Sequence, residues 1–368
     1  MSDYLCQHNA NTHWAYPTSE ETDRIIDSAR RTFAEFLNCQ PNEVVFGPNM
    51  TTLAFHVGRA LARDYAPGDE IVVTELDHHA NIAPWKILEA EAGVRVRVVR
   101  MVAETGELDW DDFARQLTSS TKLVAVAAAS NALGTINDVN RASSLARSVG
   151  ARLFVDAVHF APHRLIDVKA WDCDFLACSA YKFYGPHLGI LFVKDELLGR
   201  LAFPKLVPAP EYGPERAEPG TQNHEGIAGA AAAVDFLASF SEAPGRRERL
   251  AHAFDILDCR GAALTGRLWQ AIAATKGAHL YGPPPGTART PTIAFTLENK
   301  SCIDAARALA DQGLFLSHGD FYASTVIERL GRSPDGVIRA GCACYTTSEE
   351  IDRLATAIGV IAENSDET

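Results

Sequence analysis

Lys182 closes the run Phe175-Leu-Ala-Cys-Ser-Ala-Tyr-Lys and is followed within three residues by Gly185-Pro186. A lysine at the end of a buried strand is poorly placed for a solvated cation. Desolvation lowers its pKa and favours the neutral amine, the nucleophile that forms a Schiff base with an aldehyde. On exposure statistics alone the commoner reading is an ordinary lysine in a surface turn. Asp156 shifts that balance. It ends another apolar strand, Arg152-Leu-Phe-Val-Asp, 26 residues earlier, a spacing that accommodates one crossover and one strand. Ligands of open α/β sheets sit beyond the carboxyl ends of the strands, so an amine and a carboxylate at two such ends can face one ligand. The plainer alternative is an Asp–Lys ion pair.

A ligand that carries an aldehyde and a ring nitrogen needing an anion to stay protonated uses both groups. Pyridoxal 5'-phosphate is such a ligand. Four further features that follow strand ends are compatible. Gly47-Pro-Asn-Met-Thr-Thr precedes an apolar helix, whose start could hold a phosphate near Thr51 and Thr52. Asp77-His78-His79-Ala80-Asn81 offers an imidazole that could stack on a pyridine ring and move protons. Asn131, after Ser130, and His159, three residues past Asp156, could each bond the cofactor's phenolic oxygen. Each has an ordinary alternative, namely a helix cap, a loop histidine or a turn.

Seven runs, read together and in order, carry a resemblance. They are Val45-Phe-Gly-Pro-Asn-Met-Thr-Thr, Pro67-Gly-Asp-Glu through Ala83-Pro-Trp, Ser130-Asn-Ala-Leu-Gly-Thr, Val155-Asp-Ala-Val-His, Ser179-Ala-Tyr-Lys-Phe-Tyr-Gly-Pro, Gly220-Thr-Gln-Asn and Ile338-Arg-Ala-Gly. The pattern resembles fold-type I pyridoxal-phosphate enzymes, and more closely the class V aminotransferase group that contains the cysteine desulfurases. The resemblance implies that Lys182 is the Schiff-base lysine, Asp156 the partner of the ring nitrogen and His78 the stacking histidine. It implies phosphate contacts from Thr52, Ser179 and Tyr181, with Tyr181 where desulfurases often carry histidine. Thr221 matches a phosphate contact supplied by a second subunit, which implies a homodimer. Arg339 matches the residue that grips the substrate carboxylate, a task suited to the two-pronged guanidinium. Asn11-Thr12-His13 matches the later part of the family's N-terminal segment, which places His13 beside the substrate.

Two departures bear on the reaction. Desulfurases carry a mobile cysteine on a small-domain loop. The corresponding segment here, Leu316-Ser-His-Gly-Asp-Phe-Tyr-Ala-Ser, has none. Cys342 and Cys344 are the nearest in sequence. If Ile338 to Cys344 is a strand, alternation puts both on the face opposite Arg339. The chain also begins past the family's first segment, which implies either shortening or a replacement element, and a more open pocket if nothing replaces it. The expected enzyme acts on an α-amino acid, with Arg339 fixing its carboxylate and Lys182 removing the α-proton. The orientation of the scissile bond selects the outcome. A desulfurase-like cleavage of Cβ–S or another Cβ bond leads. An aminotransferase or epimerase is the alternative, and a non-catalytic cofactor-binding protein a third.

The elements that must position these residues follow from the patterning. Apolar strands near 44, 71, 95, 124, 153, 175 and 190 alternate with helical stretches, which predicts an α/β fold with a mainly parallel seven-stranded sheet. The spacing predicts a large domain over 1–245, with a bridging helix and a smaller α+β domain over 246–368. Thr18-x-x-Glu21 reads as a capping box. Leu206 to Pro219 reads as a loop. Thr292 to Leu297, Leu314 to Leu316 and Val337 to Ala340 read as strands, and helices are expected near 302–311, 321–330 and 348–362. The chain has 368 residues, 47% of them hydrophobic, which suits a packed globule. A net charge of −13 disfavours nucleic acid or anionic membrane as partner. Eight scattered cysteines without a CxxC pair point away from a metal site and toward a reducing cytoplasm.

Overall fold

All seven expected strands pair in one sheet in the computed structural model, which describes residues 1–298 and 300–363. In chain order they are β1 (Val44–Gly47), β2 (Glu70–Thr74) and β3 (Arg95–Val99). After a separate ribbon of β4 (Met101–Val102) and β5 (Glu107–Leu108) come β6 (Thr121–Ala127), β7 (Arg152–Asp156), β8 (Phe175–Ser179) and β9 (Gly189–Val193). The sheet order is β1-β9-β8-β7-β6-β2-β3. Only β9 runs against its neighbours. Both faces are covered, and the strand side chains divide by period two. Val44, Phe46, Val72, Val124, Leu153, Val155 and Leu176 enter one apolar cluster with helices 17–37, 139–148 and 224–238. Val45, Ile71, Val73, Leu123, Phe154 and Phe175 enter the other with helices 50–61 and 83–92. Such two-sided burial is why these strands read as nearly continuous apolar runs.

The smaller unit has an antiparallel sheet of β10 (Ala278–Tyr281), β11 (Thr292–Leu297), β12 (Ser317–Gly319) and β13 (Val337–Gly341), in the order β10-β11-β13-β12. Helix 246–274 contributes Leu250 and Phe254 to the large core and Leu264, Leu268 and Ile272 to the small one. One rigid element therefore ties the two cores together. The expected 246–368 unit includes residues 299 and 364–368, which lie outside the described residues. Among the described residues no helix is long and apolar enough to cross a membrane.

Four local expectations are corrected. Thr18 and Glu21 do not form a capping box. Pro17 occupies the first helical position after Tyr16, and Glu21 pairs with His8 instead. Pro lacks an N–H and so suits that position. The third small-domain strand is Ser317–Gly319 rather than Leu314–Leu316, because Leu314 still bonds back to Leu309 across the helix-ending Gly313. Helix 321–330 shortens to Ser324–Arg329, since Phe321 and Tyr322 adopt left-handed backbone. Finally, β13 stops at Gly341 instead of running to Cys344. Its ladder partner next in line is Pro291, which has no N–H to donate.

Candidate active site

Strands β2, β6, β7 and β8 are parallel, so Thr74, Ala127, Asp156 and Ser179 finish along one edge of the sheet. A cleft of about 1070 Å³ opens there. Helix 50–61 enters it from β1, and two glycines allow the approach. Gly47 and Gly189 are register partners on β1 and β9. A Cβ on Gly189 would lie 2.6 Å from the Asn49 backbone, and one on Gly47 2.7 Å from Leu53. The helix start is then tied to the lysine-bearing strand, with the Met50 N–H donating to Ser179 Oγ at 3.0 Å. Asn49 caps the helix, accepting from the Thr52 N–H at 2.9 Å and the Thr52 hydroxyl at 3.1 Å. Thr51 and Thr52 face the cleft, where the remaining first-turn amides and the positive end of the helix dipole suit an anion.

Lys182 sits on the single turn Ala180–Phe183 that follows β8, and Tyr184 stops that turn with φ of 71°. Its side chain is open to the cleft rather than sealed by protein. Burial among the cleft walls still lowers its pKa; the Arg339 charge adds to this and Asp156 opposes it. The Lys182 Nζ lies 5.0 Å from the centre of the Tyr181 ring, which itself stacks on His187. Asp156 is buried at the end of β7, and its Oδ1 accepts from the Val158 N–H at 2.9 Å. Burial pushes its carboxyl up to about 6, with the Val158 N–H and Lys182 pulling the other way. A buried carboxylate with this deficit is stabilised by a nearby cation, which a protonated pyridine nitrogen provides.

His78 accepts from the Ala80 N–H at Nδ1, at 2.9 Å, which leaves its proton on Nε2. Burial first, then the charges of Lys182, His79 and Arg339, bring it down to about 4, so the ring is neutral near pH 7. The loop that carries it is fixed by Asp77. That carboxylate accepts from Asn81 Nδ2 at 3.0 Å, the Ala127 N–H at 2.6 Å and the Thr74 N–H at 2.8 Å. Asn81 in turn accepts from the Trp85 indole at 3.2 Å. Asp77 and Asn81 were not singled out from sequence. Their signal was an i, i+4 Asp–Asn pair straddling the two histidines between a strand and a helix.

The small domain supplies the opposite wall. Arg339 on β13 donates to the Asn131 carbonyl at 2.7 Å and lies 4.2 Å over the Phe321 ring. Among the described residues no carboxylate pairs with it. The Asn131 side chain donates to the Phe321 carbonyl at 2.9 Å, and its Oδ1 is buried without a partner. His159 faces the cleft, with Nε2 at 3.0 Å from the Thr290 hydroxyl and 3.2 Å from that of Thr292. Burial holds its pKa well below the usual histidine value. Sequence reading gave no hint of these two threonines.

The fold thus gathers Thr51, Thr52, His78, Asn131, Asp156, His159, Ser179, Tyr181, Lys182 and Arg339 around one cleft. Two expected residues are elsewhere in this chain. His13 is largely exposed and pairs with Asp23, so it does not reach the cleft. Exposed Thr221 follows Gly220, whose φ is 82°, in the loop before helix 224–238. Cys342 and Cys344 line a separate small cavity with Tyr184 and His163, and burial pushes the Cys342 thiol up to about 11. Among the described residues no group of three or more His, Cys, Asp or Glu side chains is placed to hold a metal ion.

Known proteins share this architecture. A cysteine desulfurase of Thermococcus onnurineus, solved without ligand, superposes with a TM-score of 0.90 at 25% identity, covering 99% of this chain and 90% of that one. A cysteine desulfurase of Synechococcus elongatus is 32% identical over 99% of this chain, which spans 58% of that relative's length. An aminotransferase-like protein of Gibberella zeae is 30% identical over 98% of this chain and 89% of its own. The sequence pattern of the family described as aminotransferase class-V matches residues 1–354. With the lysine, the buried carboxylate and the anion-binding helix start in one cleft, the chain belongs to the class V aminotransferase family of pyridoxal-phosphate enzymes, in a cysteine desulfurase-like form.

Proposed function

We propose that the protein binds an α-amino acid at this cleft and cleaves a bond at its β-carbon, a C–S bond by preference. The observation that carries the reading is Arg339, a half-buried guanidinium with no counter-anion among the described residues, across one cleft from Lys182 and Asp156. Bound pyridoxal phosphate supplies an aldehyde that condenses with amines and a ring that draws electrons. Lys182 supplies the amine that holds it. Asp156 keeps the ring nitrogen protonated. The start of helix 50–61, with Ser179 and Tyr181, receives the phosphate, and neutral His78 presents its ring face and its Nε2 proton. Asn131, through its second amide N–H, and His159 are the residues placed to serve the phenolic oxygen. Arg339 grips the substrate carboxylate, and Lys182, once displaced, takes the proton from the α-carbon. Thr221 contributes to the phosphate site of a second copy in a homodimer that works in the cytoplasm, and the division between the two domains falls near residue 245.

A second reading rests on one observation. The segment Leu316 to Ser324 holds no cysteine, and Cys342 and Cys344 face another cavity. This favours an aminotransferase or epimerase, which needs no sulfur-carrying thiol. Incubating the holoenzyme with a panel of amino acids separates the readings. Sulfide, or pyruvate with ammonia, supports β-cleavage. Conversion of the cofactor to its amine form supports transamination, and racemised substrate supports epimerisation. A cofactor spectrum that no amino acid perturbs would sink all three and leave the non-catalytic reading.

A further inference from the structure

The segment Gly319–Thr325 is bolted to the large domain. The His79 N–H donates to the Tyr322 carbonyl at 2.7 Å, and the His79 ring meets the Ser324 hydroxyl at 3.0 Å. Asn131 holds the Phe321 carbonyl at 2.9 Å, and the Thr325 hydroxyl donates to the Glu75 carbonyl at 2.8 Å. Just beyond, Arg329 donates to the Met101 carbonyl at 3.1 Å. At the base, any side chain on Gly336 would collide with the Gly319 backbone. Within this frame two consecutive residues with side chains, Phe321 and Tyr322, hold φ of 56° and 55°. That backbone is unfavourable for residues with a Cβ, and it persists only where the surroundings enforce it. Its result is specific: Phe321 lies under Arg339, and the Tyr322 ring lies 5.5 Å from the His78 ring at 37°.

We propose that Tyr322 is a specificity-determining residue, latched in place by the His79–Ser324 bond, and that it selects a neutral, apolar or sulfur-bearing side chain on the amino-acid substrate. The inference rests on the amino-acid reading above. Tyr322 stands on the loop that also positions the carboxylate-gripping arginine, so a substrate held by Arg339 meets this wall. Phe55, Ala80 and Ala83 line the same cleft and add apolar surface. Asp156 is the one carboxylate of this chain that lines the cleft among the described residues, and the cofactor ring claims it. Lys182 and Arg339 are both cations. A basic substrate side chain therefore meets two cations in the cleft, with the exposed Asp320, which accepts from the Tyr322 N–H, outside its lining, whereas a neutral one packs against the aromatic ring.

Two measurements on the holoenzyme test this. The first follows the cofactor spectrum and initial rates across alanine, cysteine, methionine, phenylalanine and lysine. Wild type is expected to respond to neutral amino acids and least to lysine. Tyr322→Ala is expected to change the ratio of KM values between large neutral substrates and alanine by about fivefold, the scale of one lost packing contact, with its visible cofactor absorbance retained. Tyr322→Phe is expected to keep the wild-type order. If wild type responds and Tyr322→Ala keeps the wild-type ratios, the selectivity proposal is wrong while the enzymatic reading stands. If no amino acid perturbs the wild-type spectrum, both fail. The second is hydrogen–deuterium exchange over residues 319–325. His79→Ala and Ser324→Ala are each expected to speed exchange about fivefold, as for one ordinary hydrogen bond. The double variant should add no more, because both remove the same bond. Unchanged exchange in Ser324→Ala would overturn the latch.

Discussion

The large-domain wall of the cleft stands on strand ends, whereas the small-domain wall stands on a loop. Asp156, Ser179 and Lys182 take their positions from β7 and β8, buried on both faces and paired through the middle of the sheet. Phe321 and Tyr322 take theirs from hydrogen bonds to residues far off in the chain. The first wall carries the amine and the carboxylate that we propose hold pyridoxal phosphate. The second carries the arginine and the aromatic pair that we propose choose the substrate. A sheet edge can be altered only by disturbing a core, while a loop can change its side chains without touching one.

The sharpest way to break this division is Lys182→Ala. It should remove the borohydride-reducible absorbance near the visible edge and lower turnover by at least about a thousandfold, read by spectroscopy and by product formation. Retained absorbance would show that the cofactor wall has been misplaced. Asp156→Asn comes next, with an expected loss of about a hundredfold in turnover. It also has a pH signature in the cofactor-free protein. The Asp156 carboxyl is raised from its ordinary 3.8 to about 6, so the folded state holds the proton longer than the unfolded one. Its contribution is therefore neutral below pH 4, and stability falls as pH rises through about 6. Above that pH the asparagine variant should be more stable than wild type, on the order of 3 kcal/mol, as thermal unfolding across pH 4–8 would reveal.

Arg339→Leu probes the other wall. Losing a charge-assisted carboxylate contact should raise KM about thirtyfold with a smaller effect on kcat, and the cofactor absorbance should survive. An equal fall in absorbance would mean that the two walls are not separable. Thr221→Ala has the smallest expected effect, about a fivefold weaker affinity for the cofactor, measured by cofactor titration alongside a sedimentation measurement of mass. No change in a protein confirmed as a dimer would remove Thr221 from the phosphate site.

Legibility in the sequence follows the same division. The Lys182–Asp156 pair was readable because both close short apolar strands, and a strand end has one position relative to the sheet edge. Asn49 was passed over in favour of Thr52, because a helix start offers several hydroxyls and amides and only the backbone path chooses the cap. The alternation argument for Cys342 and Cys344 placed them away from the Arg339 side, yet its premise was wrong. The strand ends at Gly341, where the next residue opposite is Pro291, just ahead of β11. His13 matched a pattern by order alone, and folding directs it to Asp23 instead.

By itself the sequence determined the alternation of strands and helices, the mainly parallel sheet and the placement of an amine and a carboxylate at two strand ends. These depend on neighbours within one element or one crossover, where hydrophobic period and turn chemistry act locally. Only the tertiary structure decided that Arg339 has no carboxylate partner among the described residues, that His159 meets Thr290 and Thr292, and that the Gly319–Thr325 loop is hydrogen-bonded to His79, Asn131 and Glu75. The His79–Ser324 contact joins residues 245 apart. No local rule specifies such a bond, because it exists only when two separately packed cores are brought together by the helix that both of them share.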